Sequence, residues 1–205
     1  GFFSQLIRDY VASDDSLKPF LSFEYSWQGI QYAMEQRNHF AINRVELPAV
    51  ISAQYDGIQI SEVVQSNIEK LSNEQTFCVV TAHQLSLFGG PLYYVIKIAN
   101  AIRLCQELKS KFPKNEFVPI YWAGSEDHDF EEVNHIQLFG KKISWENHQG
   151  GAVGRYKTDQ IQEALDTVKE ILGNSVFSNE LMDLLTAAYQ QPTMMKAGRH
   201  LVNAL

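Results

Sequence analysis

The sequence predicts an α/β fold: a parallel sheet core with flanking helices and an N-terminal helical layer. Three observations predict it. Thr76 to Ala82 and Phe117 to Ala123 are short apolar runs rich in β-branched and aromatic residues, without polar alternation. Strands buried on both faces of a parallel sheet have that composition. A helical pattern from Pro91 to about Lys111 lies between them, so strand, loop, helix and strand form one βαβ unit with its usual right-handed crossover. Residues 2 to 74 carry helical spacing and few strand signals. The chain is thereby divided into a helical segment at 1–74, a core with two loops at 75–158, and a helical segment at 159–205.

The elements follow in order. Phe2, Phe3, Leu6, Ile7 and Tyr10 recur at helical spacing, and Ser13-Asp14-Asp15 ends that helix. Tyr25 to Phe40, Leu47 to Tyr55 and Ser61 to Leu71 are further amphipathic helices, the last two separated by the turn pair Asp56-Gly57. A glycine-bearing loop, His83 to Gly90, follows the first strand, and Pro91 opens the next helix, where a missing N–H costs nothing. The polar stripe Lys97, Asn100, Arg103 and Glu107 is narrow, which predicts that most of this helix is buried. Pro113 stops it. His135 to Phe139 and Lys142 to Trp145 flank Gly140-Lys141 as a pair of short strands, and Gly150-Gly151 and Gly154 mark a loop. Asp159 to Leu172, Asn179 to Gln190 and Thr193 onward are helices, with Pro192 before the last. That last helix stops without a C-cap glycine, basic turn or polar tail, and the chain opens without Met. Both features are expected of a fragment of a larger protein.

Composition excludes several classes. The chain has 205 residues, 17 Lys+Arg against 24 Asp+Glu and a net charge of −7, so it lacks attraction for phosphate backbones, and no basic block restores it. No nucleic acid partner is expected. No apolar run approaches the ~20 residues of a membrane helix, and no signal peptide opens the chain. Cys78 and Cys105 make no disulfide framework; neither has a basic neighbour in sequence, and both read as small core residues of a cytoplasmic protein.

Two loops could carry chemistry, and ligands of parallel α/β sheets bind at the carboxyl ends of the strands. The first offers Thr81, His83, Gln84, Gly89 and Gly90; its glycines and the helix start suit an anion, or it is a tight strand-to-helix turn. Neither a dinucleotide fingerprint nor a P-loop is present. The second, from Gly124 to His135, packs Glu126, Asp127, His128, Asp129, Glu131, Glu132, Asn134 and His135 after a buried strand. Crowded carboxylates raise one another's pKa and hold an imidazole protonated, which suits acid/base work. Asp127, His128, Asp129 and His135 could equally ligate a divalent metal, or the run is a solvated acidic turn. Arg155 could pair with a carboxylate or sit on a surface turn. His39, His148 and His200 show no partner pattern, and Tyr93, Tyr94, Tyr121 and Trp122 read as core.

Taken together, three stretches resemble a known family. Thr81-Ala82-His83-Gln84-Leu85-Ser86-Leu87-Phe88-Gly89-Gly90-Pro91-Leu92-Tyr93-Tyr94 is similar to its strand-to-helix motif, Glu126-Asp127-His128-Asp129-Phe130-Glu131-Glu132-Val133-Asn134-His135 to its acidic motif, and Val153-Gly154-Arg155 to a short third element. The family is the cysteine ligase of bacillithiol biosynthesis, the bacillithiol cysteine-adding enzymes. Ala82, His83 and Ser86 stand where it usually carries glycine, glutamine and glycine, and Ser125 replaces a glycine. The resemblance implies a Rossmann-like core and a ligase that joins cysteine to glucosaminyl-malate on the way to a low-molecular-weight thiol. It also implies a longer parent that forms a homodimer. On that scheme Asp127, His128, Asp129 and His83 are catalytic, and Thr81, Gln84, Gly89, Gly90, Glu126, Asn134, His135 and Arg155 bind substrate or nucleotide. No metal ligand is assigned, and an adenine nucleotide with Mg is the candidate cofactor. Two readings compete: a non-catalytic module binding a nucleotide or sugar acid, and a metal-dependent hydrolase built on the Asp-His-Asp cluster.

Overall fold

The computed structural model describes residues 2–205. The chain divides into two compact units, one reaching Leu47 and one spanning Pro48–Leu205. In the first, Ser4 and Ser26 accept the backbone N–H of Ile7 and Gly29, so their hydroxyls cap helices α1 (Gln5–Val11) and α2 (Trp27–Arg37). Asp14 caps a 3₁₀ turn, Asp15–Phe20, that follows α1. The helix α3 (Glu46–Ala53) crosses the boundary between the units.

The second unit begins with α4 (Glu62–Lys70), capped by Ser61, and passes into strand β1 (Thr76–Gln84). After a 3₁₀ turn at Leu87–Gly89 comes α5 (Tyr93–Lys111), then β2 (Glu116–Gly124). β1 and β2 pair in parallel from Thr76↔Glu116 to Gln84↔Gly124, so the two chemistry-bearing loops leave the same end of adjacent strands. A single-turn helix α6 (Phe130–Val133) leads to the antiparallel hairpin β3 (His135–Leu138) and β4 (Lys141–Ser144). Its two-residue turn, Phe139-Gly140, has φ of 48° and 80°, the positive-φ pair that matches strand twist. A 3₁₀ turn at Val153–Arg155 precedes α7 (Gln162–Leu172), α8 (Val176–Tyr189) and α9 (Met194–Ala204). α8 starts earlier than its apolar spacing indicates because Ser175 caps it through the N–H of Ser178. Among the described residues no helix is long and apolar enough to cross a membrane.

The main core lies beneath the loops rather than under the sheet. Leu85 and Leu87 of the first loop, Val133 of α6, Trp145, Val153 and Tyr156 join buried residues of α7, α8 and α9 in one cluster. The three sequence motifs are thus anchored in a single apolar mass.

Two packing expectations are corrected. β1 alternates instead of being covered on both faces: Cys78 and Ala82 are exposed, as is Val80 at 59%. α5 buries only Tyr94, Ala101, Cys105 and Leu108, leaving Val95, Ile96 and Ile102 in solvent. A pair of strands is only two side chains wide, so it covers one stripe of the helix, and α5 in turn covers one face of the pair. Tyr93 and Trp122 are likewise exposed, whereas Tyr94 is buried and Tyr121 half-buried. Of the cysteines only Cys105 belongs to the core, and burial pushes its thiol up to about 11.

Candidate functional site

His83 and Gln84 are the last residues of β1, and neighbours on a strand project to opposite faces. The structure follows that rule. Gln84 reaches the acidic loop, its amide donating to Asp127 Oδ2 at 2.5 Å and Glu132 Oε2 at 3.0 Å. His83 turns to the first turn of α5, where its Nε2 lies 3.0 Å from the Tyr93 hydroxyl and its Nδ1 2.9 Å from the Gln84 carbonyl. A carbonyl only accepts, so Nδ1 donates to Gln84, while Nε2 faces the Tyr93 hydroxyl. The expected grouping of His83 with Asp127, His128 and Asp129 therefore separates into two faces of one strand tip.

On the acidic face, Asp127 Oδ1 accepts the backbone N–H of Asp129 at 3.1 Å while Oδ2 takes Gln84. The Asp129 N–H and then the Gln84 amide hold its carboxyl below the usual 3.8. This opposes the expectation that crowding raises the carboxylates: donors aimed at the charged form outweigh like charges in solvent. A carboxylate with a depressed pKa holds a cation well and removes a proton near neutrality poorly. Glu126 accepts from the Trp122 indole at 3.3 Å. His128 and Asp129 are exposed at the tip. Among the described residues no three His, Cys, Asp or Glu side chains are grouped to hold a metal ion, so the Asp-His-Asp run does not gather as a coordination site.

Asn134 and His135 lie at the base of the hairpin, with His135 Nδ1 3.0 Å from Asn134 Oδ1 and the Asn134 carbonyl accepting the Trp145 N–H at 2.8 Å. Arg155 is exposed on a turn that docks against the acidic loop: Val153 N–H donates to the Asp127 carbonyl at 2.7 Å and Gly154 N–H to that of Ser125 at 3.0 Å. Only glycine permits that approach, since a Cβ on Gly154 would stand 2.6 Å from Ser125 Cβ and 2.7 Å from its oxygen.

The first loop is strained and clamped. Phe88 holds φ 52°, ψ 28°, and Gly90 has φ 71° with Ser86 Cβ 2.7 Å from where a Cβ would lie. Phe88 N–H donates to the Tyr189 hydroxyl at 2.7 Å, and the two rings meet edge to face with centroids 5.0 Å apart. Tyr189 is fully packed, and burial raises its phenol. Beside the loop, Tyr94 and Tyr121 pack edge to face at 5.5 Å, and burial pushes Tyr94 up to about 12. Thr81 sits half-buried opposite Tyr121 in the parallel register. Sequence reasoning missed Tyr93, Lys97, Trp122 and Tyr189 as site residues and gave Glu132 no role of its own. The spacing of Tyr93 and Lys97, four apart on one helix face, could have revealed that pair. Nothing in the sequence links Tyr189 to Phe88.

The family model described as "Bacillithiol biosynthesis BshC, N-terminal Rossmann-like domain" matches residues 3–205. Curated relatives named "Putative cysteine ligase BshC" include one from Cytophaga hutchinsonii, 46% identical over 82% of this chain and 32% of its own length. One from Flavobacterium psychrophilum is 41% identical over 100% of this chain and 39% of its own length. One from Chlorobaculum tepidum is 31% identical over 92% and 36%. The chain thus spans 39% of the relatives' length or less in these matches.

Proposed function

The chain belongs to the BshC family of bacillithiol biosynthesis, as its N-terminal Rossmann-like domain, and on that premise we propose that the whole protein is a ligase joining the carboxyl of cysteine to the amine of glucosaminyl-malate. The observation that carries this reading is the bridge from Gln84 to Asp127 and Glu132, which fastens the two loops into one polar site at the carboxyl end of the parallel pair. Amide formation breaks the bond from an activated carboxyl carbon to its leaving oxygen, forms a C–N bond and releases an amine proton. Asp127 and Glu132 suit holding the amine in place. His83, whose Nε2 faces the Tyr93 hydroxyl, suits taking the proton once Tyr93 turns aside. An adenine nucleotide with Mg is the activating partner in this proposal, and such an ion needs only one or two carboxylates besides phosphate and water. We place the reaction in the cytoplasm, where its thiol substrate stays reduced, with a homodimer as the state of the whole protein.

The test is incubation of the full-length protein with cysteine, glucosaminyl-malate and Mg-ATP, with the amide product read by mass spectrometry. Turnover that falls about 100-fold in Asp127→Asn supports the roles assigned here. Binding of glucosaminyl-malate without any product favours the non-catalytic module instead.

A further inference from the structure

Lys97 lies one helical turn beyond Tyr93 on α5 and reaches back to the tip of β1, where its ammonium donates to the Ala82 carbonyl. Its Nζ also stands 5.9 Å from the centroid of the Tyr93 ring, whose hydroxyl contacts His83. Among the described residues no carboxylate lies within ion-pair distance of this ammonium, although the chain holds 24 of them. One of its three N–H donors is spent on Ala82, which leaves two on an exposed side chain beside the strand end, where ligands of this architecture bind. The opposite face of the same strand tip carries Asp127, Glu132 and Glu126. The tip is therefore bipolar, cationic on the α5 side and anionic on the loop side.

We propose that Lys97, held beside the Tyr93 ring, forms an oxyanion-binding subsite on the α5 side of the β1 tip, with Lys97 as its anchor. The ligand group is a carboxylate or a phosphate. Lys97 supplies charge and two donors, and Tyr93 fixes the direction of the lysine stem through its ring. The assignment of this anion to the substrate or nucleotide of the ligase rests on the function proposed above; the subsite itself does not.

The experiment is low-affinity titration calorimetry of the full-length protein with inorganic phosphate and, separately, acetate, at constant ionic strength. The wild type should bind at least one of them saturably, and the preferred anion identifies the natural group. Lys97→Met should weaken binding about tenfold or more, since a charge-assisted hydrogen bond is lost. Lys97→Arg should stay within about threefold, and so should Tyr93→Phe, which keeps the ring beside the lysine. Binding equal in Lys97→Met and wild type, or no saturable binding of either anion, overturns the proposal. With cysteine and glucosaminyl-malate, Lys97→Met should raise the KM of the anionic substrate while changing kcat little. If the wild type makes no amide yet its anion binding depends on Lys97, the ligase reading fails and the subsite stands. If amide forms with the same KM in Lys97→Met, its place in the reaction fails.

Discussion

Gly154→Ala is the sharpest perturbation available at the site, because the geometry sets its cost. The new Cβ would stand 2.6 Å from Ser125 Cβ and 2.7 Å from Ser125 O, both inside any tolerated contact. Ser125 O is backbone, so relief requires the Val153–Arg155 turn to withdraw by about 1 Å, which costs roughly 1–3 kcal/mol of strain in a packed region. Withdrawal also breaks the bonds from Val153 N–H to Asp127 and from Gly154 N–H to Ser125, at 2.7 and 3.0 Å, each contributing about 0.5–1.5 kcal/mol net. The sum is a loss of about 2–6 kcal/mol, or roughly 5–25 °C of melting temperature for a chain of this size. Urea unfolding followed by tryptophan fluorescence measures it, with buried Trp145 as a reporter. Ser125→Gly in the same chain removes one clash and leaves the oxygen, so it should restore less than half of the loss. A Gly154→Ala protein within about 0.5 kcal/mol of wild type, or a full rescue by Ser125→Gly, would refute the reasoning.

Gln84→Leu should raise the pKa of Asp127 toward its ordinary value, as read by carboxyl NMR titration, because a donor to the charged form is removed. The sign for stability follows: a folded pKa below the unfolded one stabilises fully above about pH 4, and that contribution is lost as pH falls through the folded value. The variant should thus show a shallower acid limb than wild type. Tyr189→Phe leaves the Phe88 N–H unsatisfied and should cost about 1–2 kcal/mol in denaturant unfolding; an unchanged midpoint would show that the clamp contributes nothing. At pH 8 an aromatic disulfide reagent should titrate Cys78 quickly and Cys105 only on unfolding. Cys78→Ser should abolish the fast phase, and a persisting fast phase would contradict the burial of Cys105.

The βαβ unit was legible because its signals are local: β-branched runs, a proline near a helix start and a proline after its end. The hairpin was equally legible from Gly140, although a phenylalanine occupies the other positive-φ position. What escaped sequence reasoning depends on direction and distance. His83 and Gln84 were read as one loop, yet strand pleating sends them to opposite faces, and only pairing with the 124–135 loop shows which one meets Asp127. Carboxylate crowding predicted a raised pKa because the sequence lists charges and hides the N–H of Asp129 that lowers it. The short Val153-Gly154-Arg155 element carried little by itself; its meaning is a backbone approach to Ser125 that no spacing rule encodes.

The Tyr189 clamp has a consequence for how the protein is made. Phe88 is synthesised early, but the hydroxyl that stabilises its left-handed backbone lies 101 residues later. A nascent chain emerges at about 5–20 residues per second, so the strand-to-helix loop passes several seconds outside the ribosome without its partner. During that interval the strained turn has no compensation and the segment samples ordinary extended or helical backbone. The loop can therefore settle into its final backbone only when α8 docks, after translation has passed Tyr189.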